Sequence, residues 1–335
     1  MSEKYPFHND VAVLIIFFCR DKQLAQVFEQ VKKARPSRLY LYQDGARSGN
    51  QNDVDDIMRC RDIVSDENID WDCQVRRMYQ DKNIGCDPSG YIAHKWLFEN
   101  EEMGIVLEDD VVPSQSFFPF CAELLEKYKD NPSINMICGM NNNDVTEDIN
   151  ESYLFTKHGS IWGWASWRRV LDTWDASYKW LDDPQALTVI KEQFGSYTRG
   201  YHRFIKMATR HRQSGRAHFE SINIASTLLY DRVNIVPKYN MIKNVGIDAN
   251  TTHGVSDLRL LARETRRLFY KKAYEIDFPL VHPETIEIHK KFDKTFEPTA
   301  WHDFRLRVES LLRRMYYNGV GKTLKDYLQK KHKRK

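Results

Sequence analysis

The chain has 335 residues, 41% of them hydrophobic, and a net charge of +3. That is enough to bury a large core, as one domain or two intimately joined halves, and it excludes a disordered class. The basic charge is concentrated at the end: residues 301–335 hold eleven Lys or Arg against Asp303, Glu309 and Asp326. The first 300 residues are therefore net acidic, which argues against a general polyanion-binding surface and against nucleic acid as a partner.

The longest apolar run, residues 11–19, is too short to span a bilayer, and no small-residue cleavage site follows it. A cytosolic chain is expected. Cys19, Cys60, Cys73, Cys86, Cys121 and Cys138 are scattered, with no CxxC pair and no histidine at zinc-finger spacing, so free buried thiols are expected.

In chain order, residues 11–19 predict a central buried strand, and Leu24, Val27, Phe28 and Val31 at i, i+3, i+4, i+7 predict a helix capped by Asp21. Residues 38–43 form the next predicted strand, stopping at the turn pair Asp44-Gly45. A polar helix over 53–65, an extended segment over 72–78 and a helix over 88–100 with Ile92, Trp96 and Leu97 on one side follow. This alternation predicts a largely parallel sheet covered on both faces. Neither GxGxxG nor GxxxxGK[ST] follows the first strand, so Arg20 is the candidate phosphate partner there, against the plainer reading of a surface arginine beside Asp21.

The stretch GIVLEDDVVP, residues 104–113, ends a buried strand in three consecutive carboxylates, Glu108, Asp109 and Asp110. Alternation along an extended chain puts Glu108 and Asp110 on one side and Asp109 on the other. Their mutual repulsion is relieved by a divalent cation with a preference for oxygen ligands, Mg²⁺ or Mn²⁺, although an acidic turn fits the triplet equally well when it is read alone.

The blocks LIIFFCRDKQLAQVFEQV, LYLYQDG, DKNIGC and FENEEMGIVLEDDVVPSQSFFPF, in that order and spacing, resemble bacterial nucleotide-diphospho-sugar transferases of the GT-A fold. More distantly they are similar to N-acetylglucosaminyltransferase I. The likeness implies a GT-A domain over residues 1–255, divided into a nucleotide-sugar half (1–112) and an acceptor-side half (113–255), with a helical basic extension over 256–335. It also implies that Arg20 meets the diphosphate, that Asp44 and Gly45 contact the base, and that Asn83 and Gly85 border the nucleotide. By the same likeness Asp110 ligates the metal, with Glu108 and Asp109 near the sugar and ribose.

Further along, HGSIWGWASWRRVLDTW carries four indoles in a short span, of which two are expected to be core packing. The resemblance places Trp162, Gly163 and Trp164 along the donor sugar and acceptor. It also points to Glu220, in Phe219-Glu220-Ser221, as the general base, although Glu and Phe stand where the family has Asp and Trp; Asp182 and Asp183 are alternatives. His253, in IKNVGIDANTTHG, matches a family histidine near the metal.

The implied activity is a Mn²⁺- or Mg²⁺-dependent inverting glycosyltransferase moving a sugar from a nucleotide-diphosphate donor, UDP-linked by expectation, to a glycan or lipid-linked glycan in polysaccharide assembly. A sugar-phosphate nucleotidyltransferase and a non-catalytic sugar-binding scaffold are the alternatives. Leu306, Val308, Leu311, Leu312, Met315 and Tyr316 recur at helical intervals among arginines. That face either packs on the body, the preferred reading, or meets an anionic membrane surface peripherally.

Overall fold

The computed structural model describes residues 10–246 and 257–323. β1 (Ala12–Phe17) is buried along nearly its whole length, as an unbroken apolar strand covered on both faces must be. α1 (Asp21–Ala34) follows at once and buries Leu24, Val27, Phe28 and Val31, the stripe its spacing predicts. The helix begins one residue after Arg20, so Asp21 is its first residue and not its cap. β2 (Arg38–Gln43), α2 (Gln51–Ile63), β3 (Gln74–Tyr79), α3 (Cys86–Asn100) and β4 (Met103–Glu108) continue the alternation.

The second half is less regular. β5 (Val111–Pro113), α4 (Phe117–Lys127), β6 (Ile134–Cys138), β7 (Tyr153–Thr156) and β8 (Trp164–Trp167) lead into four helices. These are α5 (Arg168–Leu171), α6 (Pro184–Gln193), α7 (Thr198–Ser214) and α8 (Phe219–Leu229), followed by β9 (Val233–Pro237) and β10 (Ile242–Asn244).

The main sheet has the order β3-β2-β1-β4-β8-β6-β9-β7. β3, β2, β1 and β4 are mutually parallel, as are β6 and β9. β8 lies antiparallel between β4 and β6, and β7 closes the far edge antiparallel to β9. β10 and β5 form a separate antiparallel ribbon. The result is a mostly parallel mixed sheet flanked by helices, Rossmann-like in architecture, with a helical C-terminal extension. The chain steps outward from β1 to β3 and then returns across β1 to β4. That reversal opens a crevice beyond the carboxyl ends of β1 and β4, where α/β sheets bind ligands.

Two packing expectations are corrected. Ile92 of α3 is exposed, and the buried face runs through Gly90, Ala93, His94, Leu97 and Phe98 instead. Gly90 explains the rotation: a Cβ there would stand 2.8 Å from the Phe219 ring, so α8 can press on that face only because the side chain is missing. Of the four clustered indoles, three are buried, Trp164, Trp167 and Trp174. Trp164 and Trp174 pack with Phe219 around His94, whose imidazole burial pushes down to about 3, leaving it neutral.

The extension comprises α9 (Arg263–Arg267), α10 (Lys290–Lys294) and α11 (Ala300–Asn318). The expectation that its apolar face packs on the body is not met: α11 has no buried residue, Val308, Leu311, Leu312 and Tyr316 are exposed, and Leu306 and Met315 are only half-buried. No helix among the described residues is long and apolar enough to cross a membrane.

Between α9 and α10, Glu275 reaches back to the start of α4. Its carboxylate accepts from the Gln115 N–H at 3.0 Å, the Ser116 N–H at 2.7 Å and the Ser116 hydroxyl at 2.5 Å. A helix begins with N–H groups that lack partners, and a negative charge there is favoured by the helix dipole. Glu275→Ala is expected to lower unfolding free energy by roughly 1–2 kcal/mol in urea titration. An unchanged midpoint would mean that water satisfies these groups equally well.

Candidate functional site

The acidic triplet stands where β4 ends. Glu108 pairs in register with Ile16 of β1, and the Asp109 N–H donates to the Ile16 carbonyl at 3.0 Å, so the carboxylates face the turn from β1 into α1. β4 ends at Glu108 and Asp109-Asp110 form a turn, so the extended geometry does not persist through the triplet; Glu108 and Asp110 are half-buried, whereas Asp109 is 2% exposed. Asp109 accepts from the Phe18 N–H at 3.2 Å and from the Arg20 guanidinium. Arg20 also donates to Asp110 at 2.9 Å and to the Gly246 carbonyl at 3.4 Å. Arg20 thus turns away from Asp21 and into the crevice. Asp109 is oriented into the protein rather than toward a sugar, and its geometry makes it the anchor of Arg20.

The charges do not balance. Burial pushes the Glu108 carboxyl up to about 8, assisted by Asp110 and Asp109 and, more weakly, by Glu220. Asp109 is held at about 6, with burial outweighing Arg20. Arg20 sits well above its ordinary value: burial lowers it, but the two aspartates outweigh burial. One guanidinium therefore serves a group of carboxylates that repel one another.

Asp44 has a different surrounding from the one expected. Its carboxylate accepts from the Gly45 and Ile84 N–H groups at 2.9 Å, from Asn83 Nδ2 at 2.9 Å and from the Gly85 N–H at 3.0 Å. Four donors fill the acceptor capacity of a carboxylate. Asp44 thus stitches the turn after β2 to residues 83–85, and positions that loop. Gly45 is required by contact, since a Cβ would meet the Lys82 backbone at 2.6 Å. Gly85, with φ of +95° and open space around it, starts α3 at the crevice rim. Asp53, 2% exposed, holds the rest of this turn through Arg47 and Asn50.

The tryptophan block divides. Trp164 is core and lines no crevice, while Trp162 is half-buried and lies 5.3 Å from the Phe269 ring. Gly163 adopts φ of +66° and lets Ile242 approach to 2.5 Å from a would-be Cβ. Glu220 is exposed in the first turn of α8, near enough to Glu108 and Cys86 to raise both. Of its alternatives, Asp182 pairs with Arg212 at 2.8 Å and Asp183 caps α6 through the Gln185 N–H. His253 lies outside the described residues.

Sequence reasoning missed Gly246. A Cβ on it would fall 1.9 Å from Asp110 Oδ2, and the neighbouring Val245 N–H donates to the Asp110 carbonyl at 2.8 Å. The VG pair in IKNVGID was its signal.

Among the described residues no group of three or more His, Cys, Asp or Glu is placed to hold a metal ion. A closed protein cage is therefore absent from that part of the chain. An open set of one or two carboxylates, completed by water and phosphate oxygens, is how Mg²⁺ is usually held, and Asp110 fits that pattern in donor type, with Glu108 able to join it on losing its proton.

No family model matches the chain, and no curated protein matches it. Several solved structures are similar to it. The inositol-1-phosphate CTP transferase from T. maritima shares 10% identity at a TM-score of 0.37, over 79% of this chain and 97% of that one. A UDP-glucose pyrophosphorylase complexed with UDP-glucose shares 10% at 0.37, over 78% and 99%. HddC from Yersinia pseudotuberculosis shares 10% at 0.29, over 48% and 79%. The expected membership in the GT-A glycosyltransferases related to N-acetylglucosaminyltransferase I, with its inverting hexosyl transfer to a glycan acceptor, is corrected by these findings, which include a CTP transferase and a pyrophosphorylase. Likeness at these TM-scores carries no argument about the reaction.

The raised carboxyls make stability depend on pH. Glu108 keeps its proton in the folded chain up to about 8 and loses it in the unfolded chain near 4.5. The unfolded state therefore binds fewer protons over that interval, and stability falls as pH rises. In chelator, urea unfolding is expected to show this fall from about pH 5 to pH 8, by at most about 1.4 kcal/mol per pH unit for the one group. Glu108→Gln should flatten the upper part of the curve. A wild-type curve that is level or rising there would contradict the placement of Glu108.

Proposed function

We propose that the chain is a divalent-cation-dependent sugar-1-phosphate nucleotidyltransferase, with its site in the crevice beyond β1 and β4. The observation that carries this reading is Arg20 at the end of β1, held between Asp109 and Asp110 at the end of β4. A planar guanidinium beside an open carboxylate pair is suited to phosphate oxygens and the cation that accompanies them. A second point favours chemistry at phosphorus. The expected alternatives for a general base, Asp182 and Asp183, are engaged in an ion pair and a helix cap, and Glu220 adds negative charge to an already crowded rim. A nucleophile that is already an anion needs no base.

In the reaction, a phosphate oxygen of the sugar 1-phosphate attacks the α-phosphorus of a nucleoside triphosphate. The bond from that phosphorus to the bridging oxygen breaks, and pyrophosphate leaves with the electron pair. Arg20 orients the phosphates and meets the charge that develops on them. Asp44 holds residues 83–85 so that the open backbone at Gly85 borders the nucleotide. Trp162 offers an indole face at the sugar side. Asp110, with Glu108 near it, would hold Mg²⁺ or Mn²⁺, which would supply Lewis-acid stabilisation of phosphate charge.

A panel of nucleoside triphosphates and sugar 1-phosphates, assayed with Mg²⁺ for pyrophosphate release, tests the reading. Release that requires both substrates is expected. Asp110→Asn and Arg20→Ala should each lower it by about a hundredfold or more, with folding monitored by circular dichroism. Absence of release, and of the reverse pyrophosphorolysis of nucleotide sugars, from folded wild-type protein would overturn it.

A further inference from the structure

α11 faces the wrong way for a helix of a globular body. Trp301, Phe304, Val308, Leu311 and Leu312 recur at i, i+3, i+7, i+10 and i+11, which places them on one stripe. That stripe is turned to solvent, with Trp301 72% and Leu312 59% exposed. The polar residues of the helix are the ones that attach it. Asp303 takes Arg199 at 2.6 Å and Arg203 at 3.0 Å. Ser310 accepts the Ala262 N–H at 3.1 Å, and Glu309 accepts the Arg263 N–H at 2.8 Å while pairing with Arg313 at 3.1 Å.

Both acids of the helix are thus drawn to the side that meets the body. On the outward side the stripe is bordered by the exposed Arg307 along one edge and by Arg305 along the other, the last sharing Glu264 with His302. No carboxylate of α11 lies on that face. The chain that follows Thr323 adds Lys325, Lys330, Lys331, Lys333, Arg334 and Lys335 against Asp326.

We propose that this face of α11 docks in the headgroup region of an anionic lipid bilayer, as a peripheral contact. An apolar stripe with a terminal tryptophan suits the boundary between acyl chains and headgroups, and the flanking arginines suit anionic lipid. The same charges decide against a second copy of the chain. Two such faces meeting would bring arginine edges of like sign together, whereas a lipid surface of opposite sign attracts them. This inference does not depend on the reaction assigned to the crevice.

The full chain is to be co-sedimented with vesicles of phosphatidylcholine alone and of phosphatidylcholine mixed with phosphatidylglycerol, at low and high salt. Salt-sensitive binding to the mixed vesicles only is expected. The double variant Leu311→Ser with Leu312→Ser should lose it. Arg307→Glu, a surface change that leaves the fold untouched, should weaken it by about tenfold or more, given about fivefold for each charge near the surface. Equal partition of wild type and Arg307→Glu, or equal binding to neutral vesicles, would overturn the proposal. So would a dimer in sedimentation velocity that the leucine variant converts to monomer without any vesicle binding by wild type.

Discussion

The structure depends on how one guanidinium is shared at the end of the sheet. Arg20 leaves β1 and is held by Asp109 and Asp110, which leave β4, so one interaction closes the turn into α1 against the acidic end of the neighbouring strand. Both partners of the Arg20–Asp109 pair are largely removed from water, with side chains 15% and 3% exposed. Burying such a pair gains little over an apolar contact, but deleting one member leaves a buried charge uncompensated, at a cost of about 3–5 kcal/mol. The arrangement is therefore stable while intact and intolerant of partial removal. It also leaves Asp109 and Asp110 with more negative charge than Arg20 neutralises, a surplus that Glu108 increases once it loses its proton.

Around that centre, position is set by polar stitching between distant parts of the chain. Asp44 binds residues 83–85, Asp53 binds Arg47 and Asn50, and Glu275 caps α4 from the far end of the chain. Asp44 and Glu275 satisfy backbone and side-chain donors of loops and helix starts, and Asp53 pairs with the Arg47 guanidinium. Glycine does the complementary work by absence: Gly45 and Gly246 let backbone or carboxylate approach where any side chain would collide. The crevice is thus framed by loops that are individually irregular but jointly fixed.

Much of the framework could be read from sequence because its causes are local. The apolar run of β1, the i, i+3, i+4, i+7 spacing of α1 and the alternation up to β4 each follow from residues within a few positions of one another. What could not be read had non-local causes. Asp44 looks like a free strand-end carboxylate until residues forty positions later supply its donors. Trp164 and Trp162 are two residues apart and equally indole, yet only the fold decides that one packs on His94 and the other stays half-open. Ile92 faces solvent because the buried face of α3 is chosen by the gap at Gly90, which Phe219 fills from another helix. α11 inverts the usual rule, since its ion pairs meet the body while Leu311 and Leu312 face solvent. The resemblance that suggested sugar transfer rested on strand ends and an acidic triplet, features that many nucleotide-using α/β folds share.

The central claim is that Arg20 and Asp110 together receive nucleotide phosphates with a divalent cation. Isothermal titration of wild type, Asp110→Asn and Arg20→Ala with a nucleoside diphosphate, in Mg²⁺ and again in chelator, tests it most directly. The account predicts wild-type binding that disappears in chelator and is lost in both variants. Binding that is indifferent to the cation and retained by Asp110→Asn would contradict it.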